Sequence, residues 1–237
     1  MSTSWLEDLL ALLTNCAATE EEMSVAVDNA VHALGFEYYH FVYRQILPFS
    51  QARMRSLSSY PTRWRKRYAE QDYVRIDPLV RHAKASDALL PWTEKLFADA
   101  PTLWADLQRH GLCHGITQST LSGVQGFGIL SLSRSSRAIS KAELVEKREK
   151  IRQLTQLIHS LFSRSCLDAA ASSLPDLSSR EAEILRWTAD GKSARDIAEI
   201  LDLSKNTIDF HIKNTVAKLG APNKTAAVIL AASLGRL

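Results

Sequence analysis

The stretch LSSREAEILRWTADGKSARDIAEILDLSKNTIDFHIKNTVAKLG, residues 177–220, decides the fold of the C-terminal part of the chain. Ser178 and Glu181 stand in capping-box spacing, so a helix starts there, and Gly191 stops it. KSARDIAEIL makes a second helix, with Ser193 as its N-cap and Ile197, Ile200 and Leu201 turned inward. DLS is a tight turn, after which a third helix begins at Ser204 and ends at Gly220. On it Ile208, Ile212, Val216 and Leu219 form one apolar stripe at spacings of four, four and three. Asp209, Lys213 and Ala217 project from a different face, with Lys205 at its N-terminal end. A fourth helix runs through KTAAVILAASL. Two short helices, a three-residue turn and a longer helix with a polar outer face make a helix-turn-helix; the competing reading is a plain helical bundle with solvated lysines.

Between Ser204 and Lys224 the chain carries four lysines (Lys205, Lys213, Lys218, Lys224) against one acid, Asp209. Such a surface suits the phosphates of a duplex, with affinity supplied by released counterions and lost in salt. The whole segment resembles the C-terminal DNA-binding domain of LuxR-type regulators, through LSSRE, Gly191, IAEIL and the pattern Thr207, Ile208, His211, Asn214. The resemblance implies that Glu181, Leu185 and Gly191 hold the fold, that Asp209 and Lys213 reach base edges, and that Lys205, Thr207, His211 and Lys218 favour the DNA backbone. Asn206 and Asn214 complete the DNA-facing set. Asp209 departs from the basic or neutral residue of many relatives; its carboxylate either accepts from a cytosine amino group or pairs with Lys213 four residues on.

The chain has 237 residues, 46% hydrophobic and 23% charged, with a net charge of +3. These values suit a soluble protein of one large or two modest domains, and they permit nucleic acid binding without demanding it. No apolar run reaches membrane-spanning length, and MSTSWLEDLLALL carries acids where a secretion signal needs positive charge, so a cytoplasmic protein without membrane contact is expected. Cys16, Cys113 and Cys166 are few and scattered, as in a reduced compartment. Small residues, serines and Pro175 interrupt the periodicity near SCLDAAASSLPDLSS, which divides the chain into a domain over 1–168, a linker over 169–176 and the helix-turn-helix domain over 177–237.

In the first domain TEEEMSVAVDNAVHALG is a capped helix and FEYYHFVYRQIL a strand. Pro61 fits the first turn of a short helix through Glu70, and Asp77-Pro78 starts another. GITQSTLSGVQGFGILSLSR reads as two strands and a glycine-containing turn, with Phe127, Ile129, Ser131 and Ser133 on one face and Gly128, Leu130 and Leu132 on the other. A long helix follows from Ser140 to Ser163. Its ladder of Leu144, Ile151 and Ile158, with Leu154 and Leu161 interleaved, reads either as a core stripe or as a dimer seam. The fold class expected is therefore α+β: an N-terminal α/β/α sandwich around an antiparallel sheet, then an all-α four-helix helix-turn-helix domain.

This domain resembles the autoinducer-binding domain of LuxR-type quorum-sensing receptors, through YPTRWRKRYAEQDYVRIDPLVRH, the later PW and LWADLQRHGLCHGI; Trp64, Tyr68, Asp77, Pro78, Trp92 and Gly115 fall on the family's pattern. The resemblance implies an N-acyl-homoserine lactone as effector, no other cofactor, and a homodimer on double-stranded operator DNA with RNA polymerase as a further partner. The residue chemistry fits such a ligand. The Trp64 indole donates and suits the ring carbonyl, while ionised Asp77 only accepts and suits the amide N–H. Tyr60 and Ser131 offer hydroxyls to the amide carbonyl, and Tyr68, Trp92 and Trp104 supply walls. Asp77 is equally an N-cap before a first-turn proline, and Trp64 and Trp92 are equally core rings.

The arginines and Lys66 between Arg63 and Arg81 read as solvated helix faces rather than as a grip on DNA. His110, Cys113 and His114 have metal-like spacing, but no second ligand cluster accompanies them, so no metal is expected. The chain lacks the acidic cluster of a phosphorylated receiver. An enzyme acting on lactones through Asp77 or His110 has no nucleophile elbow or triad order to support it. A pocket for a plant or host molecule is the alternative within the regulator class. Ser119 stands where many relatives have proline, which lets that strand pair more regularly and reshapes the pocket edge.

Overall fold

The computed structural model describes residues 4–14, 19–45, 54–121, 126–171 and 174–237. Cys16, the tip of the predicted turn at 122–125 and part of the predicted linker lie outside them. The chain divides into two compact units, Met1–Ser163 and Arg164–Leu237.

In the first unit the helices α1 (Ser4–Thr14) and α2 (Glu20–Ala33) precede strands β1 (Tyr38–Arg44) and β2 (Met54–Ser58). Then come α3 (Thr62–Glu70), a 3-10 turn (Tyr73–Arg75), α4 (Pro78–Ala85), the two-residue β3 (Leu90–Pro91), α5 (Pro101–Arg109), β4 (His114–Leu121), β5 (Phe127–Arg134) and α6 (Lys141–Ala171). The five strands form one antiparallel sheet in the order β2-β1-β5-β4-β3. The predicted capping box at Thr19 and Glu22 starts α2. Pro61 is the N-cap of α3 rather than a residue of its first turn. Ser119 lies inside an unbroken β4, opposite Ile129.

Strand alternation gives the sheet two faces. Tyr39, Phe41 and Tyr43 of β1 share one with Gly128, Leu130 and Leu132 of β5, and this face meets α2 and α6. Phe41 lies 5.2 Å from Phe162, Tyr43 lies 5.3 Å from His159, and Tyr39 bonds Ser24 of α2 at 3.2 Å. His40, Val42 and Arg44 share the other face with Phe127, Ile129 and Ser131, beneath α3 and α4. Here the core is aromatic: Tyr60, Trp64, Tyr73, Trp92 and Phe97 with Leu79, Leu103, Leu107 and Leu112. Ile151, Leu154, Ile158 and Leu161 of α6 are buried within one chain, so this part of the ladder is a core stripe, while Leu144 at its start is half-buried. The helix also runs past Ser163, because the Ala-rich SRSCLDAAA holds no breaker before Pro175. Arg134, buried at the end of β5, forks onto Glu143 of α6 at 2.9 and 2.8 Å, and Lys147 joins at 2.6 Å. These cations, Arg134 foremost, hold the Glu143 carboxyl down to about 2.

The second unit contains α7 (Ser179–Ala189), α8 (Ala194–Leu201), α9 (Lys205–Lys218) and α10 (Lys224–Ser233). Ser178, Ser193 and Ser204 cap the first three as expected, and the Ser193 cap closes a box with Asp196. Asp202 carries the chain out of α8 with φ of 54°. Ile184, Ile197 and Ile208 form one buried cluster and Leu185, Leu219, Ala227 and Ala231 another. Ile200 corrects the expectation: it is 45% exposed, because Ile197, Ala198 and Leu201 already fill the inward face of α8.

Candidate functional site

On the α3–α5 side of the sheet lies a cavity of about 460 Å³. Tyr60, Trp64, Tyr68, Asp77, Trp92 and Ser131, all expected at a binding site, line it together. Trp104 does not. Its ring stacks on Phe97 at 4.9 Å, so it supports the wall from behind. His40, Val42, Phe127 and Ile129 line the sheet side, and Leu79, Leu103 and Leu107 the helical side.

Helix geometry places the polar groups. Trp64 and Tyr68 stand one turn apart on α3, ring edge to face at 5.7 Å. Asp77 caps α4, its Oδ1 accepting from the Leu79 amide at 2.8 Å, while its Oδ2 accepts from the Tyr68 hydroxyl at 2.8 Å. Tyr68 is therefore more than a wall; it orients the carboxylate. Bonds from Tyr68 and from the Leu79 and Val80 amides use three of the roughly four lone-pair positions of the carboxylate, so one is left and the capping and site roles coexist. Burial raises the Asp77 carboxyl above its ordinary value, against the opposing bonds from Tyr68 and the Leu79 and Val80 amides. Trp92 donates its N–H to Thr117 at 2.9 Å, and Thr117 in turn bonds Ser131 at 2.9 Å. Gly115 makes room for this ring: a Cβ there would lie 2.4 Å from it.

Two groups have no such partners. The Tyr60 hydroxyl is buried without a well-formed hydrogen bond, with only the Ser133 and Ser131 hydroxyls close by, and Nδ1 of His40, whose ring stacks on Tyr60 at 5.4 Å, is buried without one. Burial drives the Tyr60 phenol well above its ordinary range; burial and then the nearby Arg65 cation drive His40 down to about 4, leaving it neutral near pH 7. The Trp64 indole, in a side chain 3% exposed, lines the same cavity beside them. A buried donor or acceptor left unpaired costs ~1–3 kcal/mol, so these groups mark where a polar ligand would be held. The sequence reading missed His40; its signal is a polar residue alternating with Tyr39 and Phe41 on a strand covered on both faces. His110 and Cys113 are engaged locally, by the carbonyls of Asp106 at 2.7 Å and Gln108 at 3.6 Å.

In the second unit Lys205, Asn206, Asp209 and Lys213 are exposed along α9, and Thr207, His211 and Asn214 are half-buried beside them. Asp209 pairs with Lys205 at 2.6 Å, not with Lys213, because the preceding turn brings the ammonium within reach first. Lys218 differs from the rest. Its ammonium bonds the buried Glu181 at 2.8 Å and the Asp176 carbonyl at 3.3 Å, tying α9 to the start of α7. Burial alone would raise the Glu181 carboxyl, but Lys218 and the Ser178 amide hold it below its ordinary value.

A small-molecule cavity in one unit and a helix-turn-helix in the other define a ligand-responsive DNA-binding regulator. Residues 19–162 match the autoinducer binding domain, and residues 175–231 match the bacterial regulatory proteins of the luxR family. The chain is 36% identical to the HTH-type quorum-sensing regulator RhlR of Pseudomonas aeruginosa over 209 residues, 88% of this chain and 87% of that protein. The crystal structure of Escherichia coli SdiA superposes with a TM-score of 0.77 at 34% identity, covering 98% of this chain and 97% of that one. SdiA in complex with octanoyl-rac-glycerol superposes at 0.73 with 31% identity, covering 99% and 97%. The protein belongs to the LuxR family of quorum-sensing transcriptional regulators.

Proposed function

We propose that the first unit binds an N-acyl-homoserine lactone and that binding raises the fraction of protein able to hold operator DNA. The observation that carries this reading is the Tyr60 hydroxyl, buried without a well-formed hydrogen bond on a cavity that also contains the Trp64 indole and Asp77. Trp64 donates to the ring carbonyl, Asp77 accepts from the amide N–H, and Tyr60 with Ser131 serves the amide carbonyl. Tyr68 fixes Asp77, Trp92 walls the ring, and the alkyl chain runs over Val42, Ile129 and Phe127. Ligand binding to the folded state alone stabilises it by RT ln(1 + [L]/Kd), about 2.7 kcal/mol at a hundredfold excess over Kd. The protein acts in the cytoplasm as a homodimer on a partly palindromic operator, contacts RNA polymerase there, and performs no catalysis. Lys205, Asn206, Thr207, Asp209, His211, Lys213 and Asn214 face the duplex, and Lys218 supports them from the Glu181 pair. Residues 169–176 connect the effector domain, 1–168, to the DNA-binding domain, 177–237.

Operator affinity measured with and without saturating lactone tests the switch; an affinity that does not change with ligand overturns it. The SdiA complex with an acylglycerol favours a second reading, in which the cavity accepts an acyl chain on a non-lactone head group. Mass spectrometry of the ligand that co-purifies distinguishes the two.

A further inference from the structure

The inward stripe of α9 is Ile208, Ile212, Thr215 and Leu219, all buried except the half-buried Ile212. Shifting each position back by two residues, a rotation of about 200°, gives Asn206, Phe210, Lys213 and Ala217, and all four are exposed. This is the line of the helix farthest from its own core. At its middle stands Phe210, 60% exposed, whose only ring contact among the described residues is an edge-on approach to His211 at 5.8 Å. Single exposed apolar side chains are common on protein surfaces. Phe210 differs in its place: it lies between an amide and an ammonium on the helix that a helix-turn-helix inserts in the major groove. Asp209 beside it is already paired with Lys205 and is the poorer candidate for reading a base.

We propose that Phe210 is a specificity-determining residue that packs on the C5-methyl of a thymine in each operator half-site. The inference rests on the DNA-binding reading of α9 given above. In the major groove the methyl is the one apolar feature a base pair offers, and it distinguishes T·A from the other three pairs by contact with Phe or Ala rather than by hydrogen bonding. Lys213, with Lys205 shared with Asp209 one turn earlier, draws the phosphates toward the same face, so the ring is desolvated against a base edge and not against a protein surface. Asn206, one turn earlier, carries the amide that suits an adenine.

The test uses the full-length protein and a duplex that the wild type recovers from a random-sequence pool, with and without lactone. Each thymidine is replaced in turn by deoxyuridine, which removes only the methyl. One position per half-site is expected to weaken wild-type binding by about four- to tenfold. Phe210→Ala binds the parent duplex correspondingly more weakly and no longer distinguishes thymidine from deoxyuridine there; Phe210→Leu retains part of the difference. Because the side chain is exposed, both variants are expected to melt with the wild type. A recovered duplex at which no methyl matters, or whose methyl matters equally to Phe210→Ala, overturns the assignment while leaving DNA binding intact. Failure to recover any duplex in either condition overturns the DNA-binding reading and this assignment with it.

Discussion

Replacing Tyr60 by Phe removes one oxygen from the cavity wall, and the structure predicts opposite effects on the empty and the liganded protein. In the empty protein the hydroxyl is buried without a well-formed hydrogen bond, only the Ser133 and Ser131 hydroxyls lying close by. Deleting it removes a desolvation cost of ~1–3 kcal/mol, while the ring that stacks on His40 stays. For a chain of this length each kcal/mol moves the melting temperature by roughly 2–4 °C, so the ligand-free Tyr60→Phe protein should melt roughly 2–12 °C higher. With an acyl-homoserine lactone bound, the same hydroxyl supplies a hydrogen bond worth ~0.5–1.5 kcal/mol net, so the variant should bind about two- to thirteenfold more weakly. Thermal unfolding with and without ligand, combined with calorimetric titration, measures both. If Tyr60→Phe lowers the ligand-free melting temperature and leaves the affinity unchanged, the hydroxyl serves the fold and the reasoning fails.

Four further outcomes follow from the same geometry. Gly115→Ala drives a methyl into the Trp92 ring at 2.4 Å and should cost ~1–3 kcal/mol in thermal or urea unfolding, together with a loss of ligand affinity. Asp77→Asn keeps the cap on α4 and removes the carboxylate; since the folded carboxyl lies above its ordinary value, native stability declines as pH rises from 3.8, and the variant should lose that decline in urea titrations while binding lactone more weakly. Lys218→Met leaves Glu181 buried without its cation and should destabilise the second unit by ~1–3 kcal/mol, read by circular dichroism melting. Glu143 runs the other way from Asp77: its folded value is depressed, so its contribution is whole above pH 4.5 and is lost as pH falls toward about 2, a loss that Glu143→Gln should remove from the acid limb of the stability profile.

What the sequence disclosed was set by how local the determinants are. The caps at Thr19, Asp77, Ser178, Ser193 and Ser204 depend on groups within one turn, and each forms as read. The two faces of β5 follow from alternation alone. Strand β2 escaped because MRSLS has no β-branched or aromatic residue; its pairing with β1 makes it a strand. The cavity's aromatic and acidic members were legible as a spaced pattern, whereas the exclusion of Trp104 depends on which way Phe97 turns. Long-range partners were similarly hidden. Nothing near Lys218 in sequence announces that its charge answers Glu181, 37 residues away. Ile200 misled because an apolar residue beside Ile197 on a short helix satisfies the inward pattern without space to occupy.

Neighbouring residues of β5 look into different rooms. Leu130 and Leu132 hold α6 against the sheet, while Ile129 and Phe127, one step along the same backbone, shape the cavity. Effector preference and structural integrity are thus interleaved along one strand yet chemically separate. A lineage can retune the volume or polarity offered to a signal by altering alternate positions, and the helix on the reverse side registers nothing.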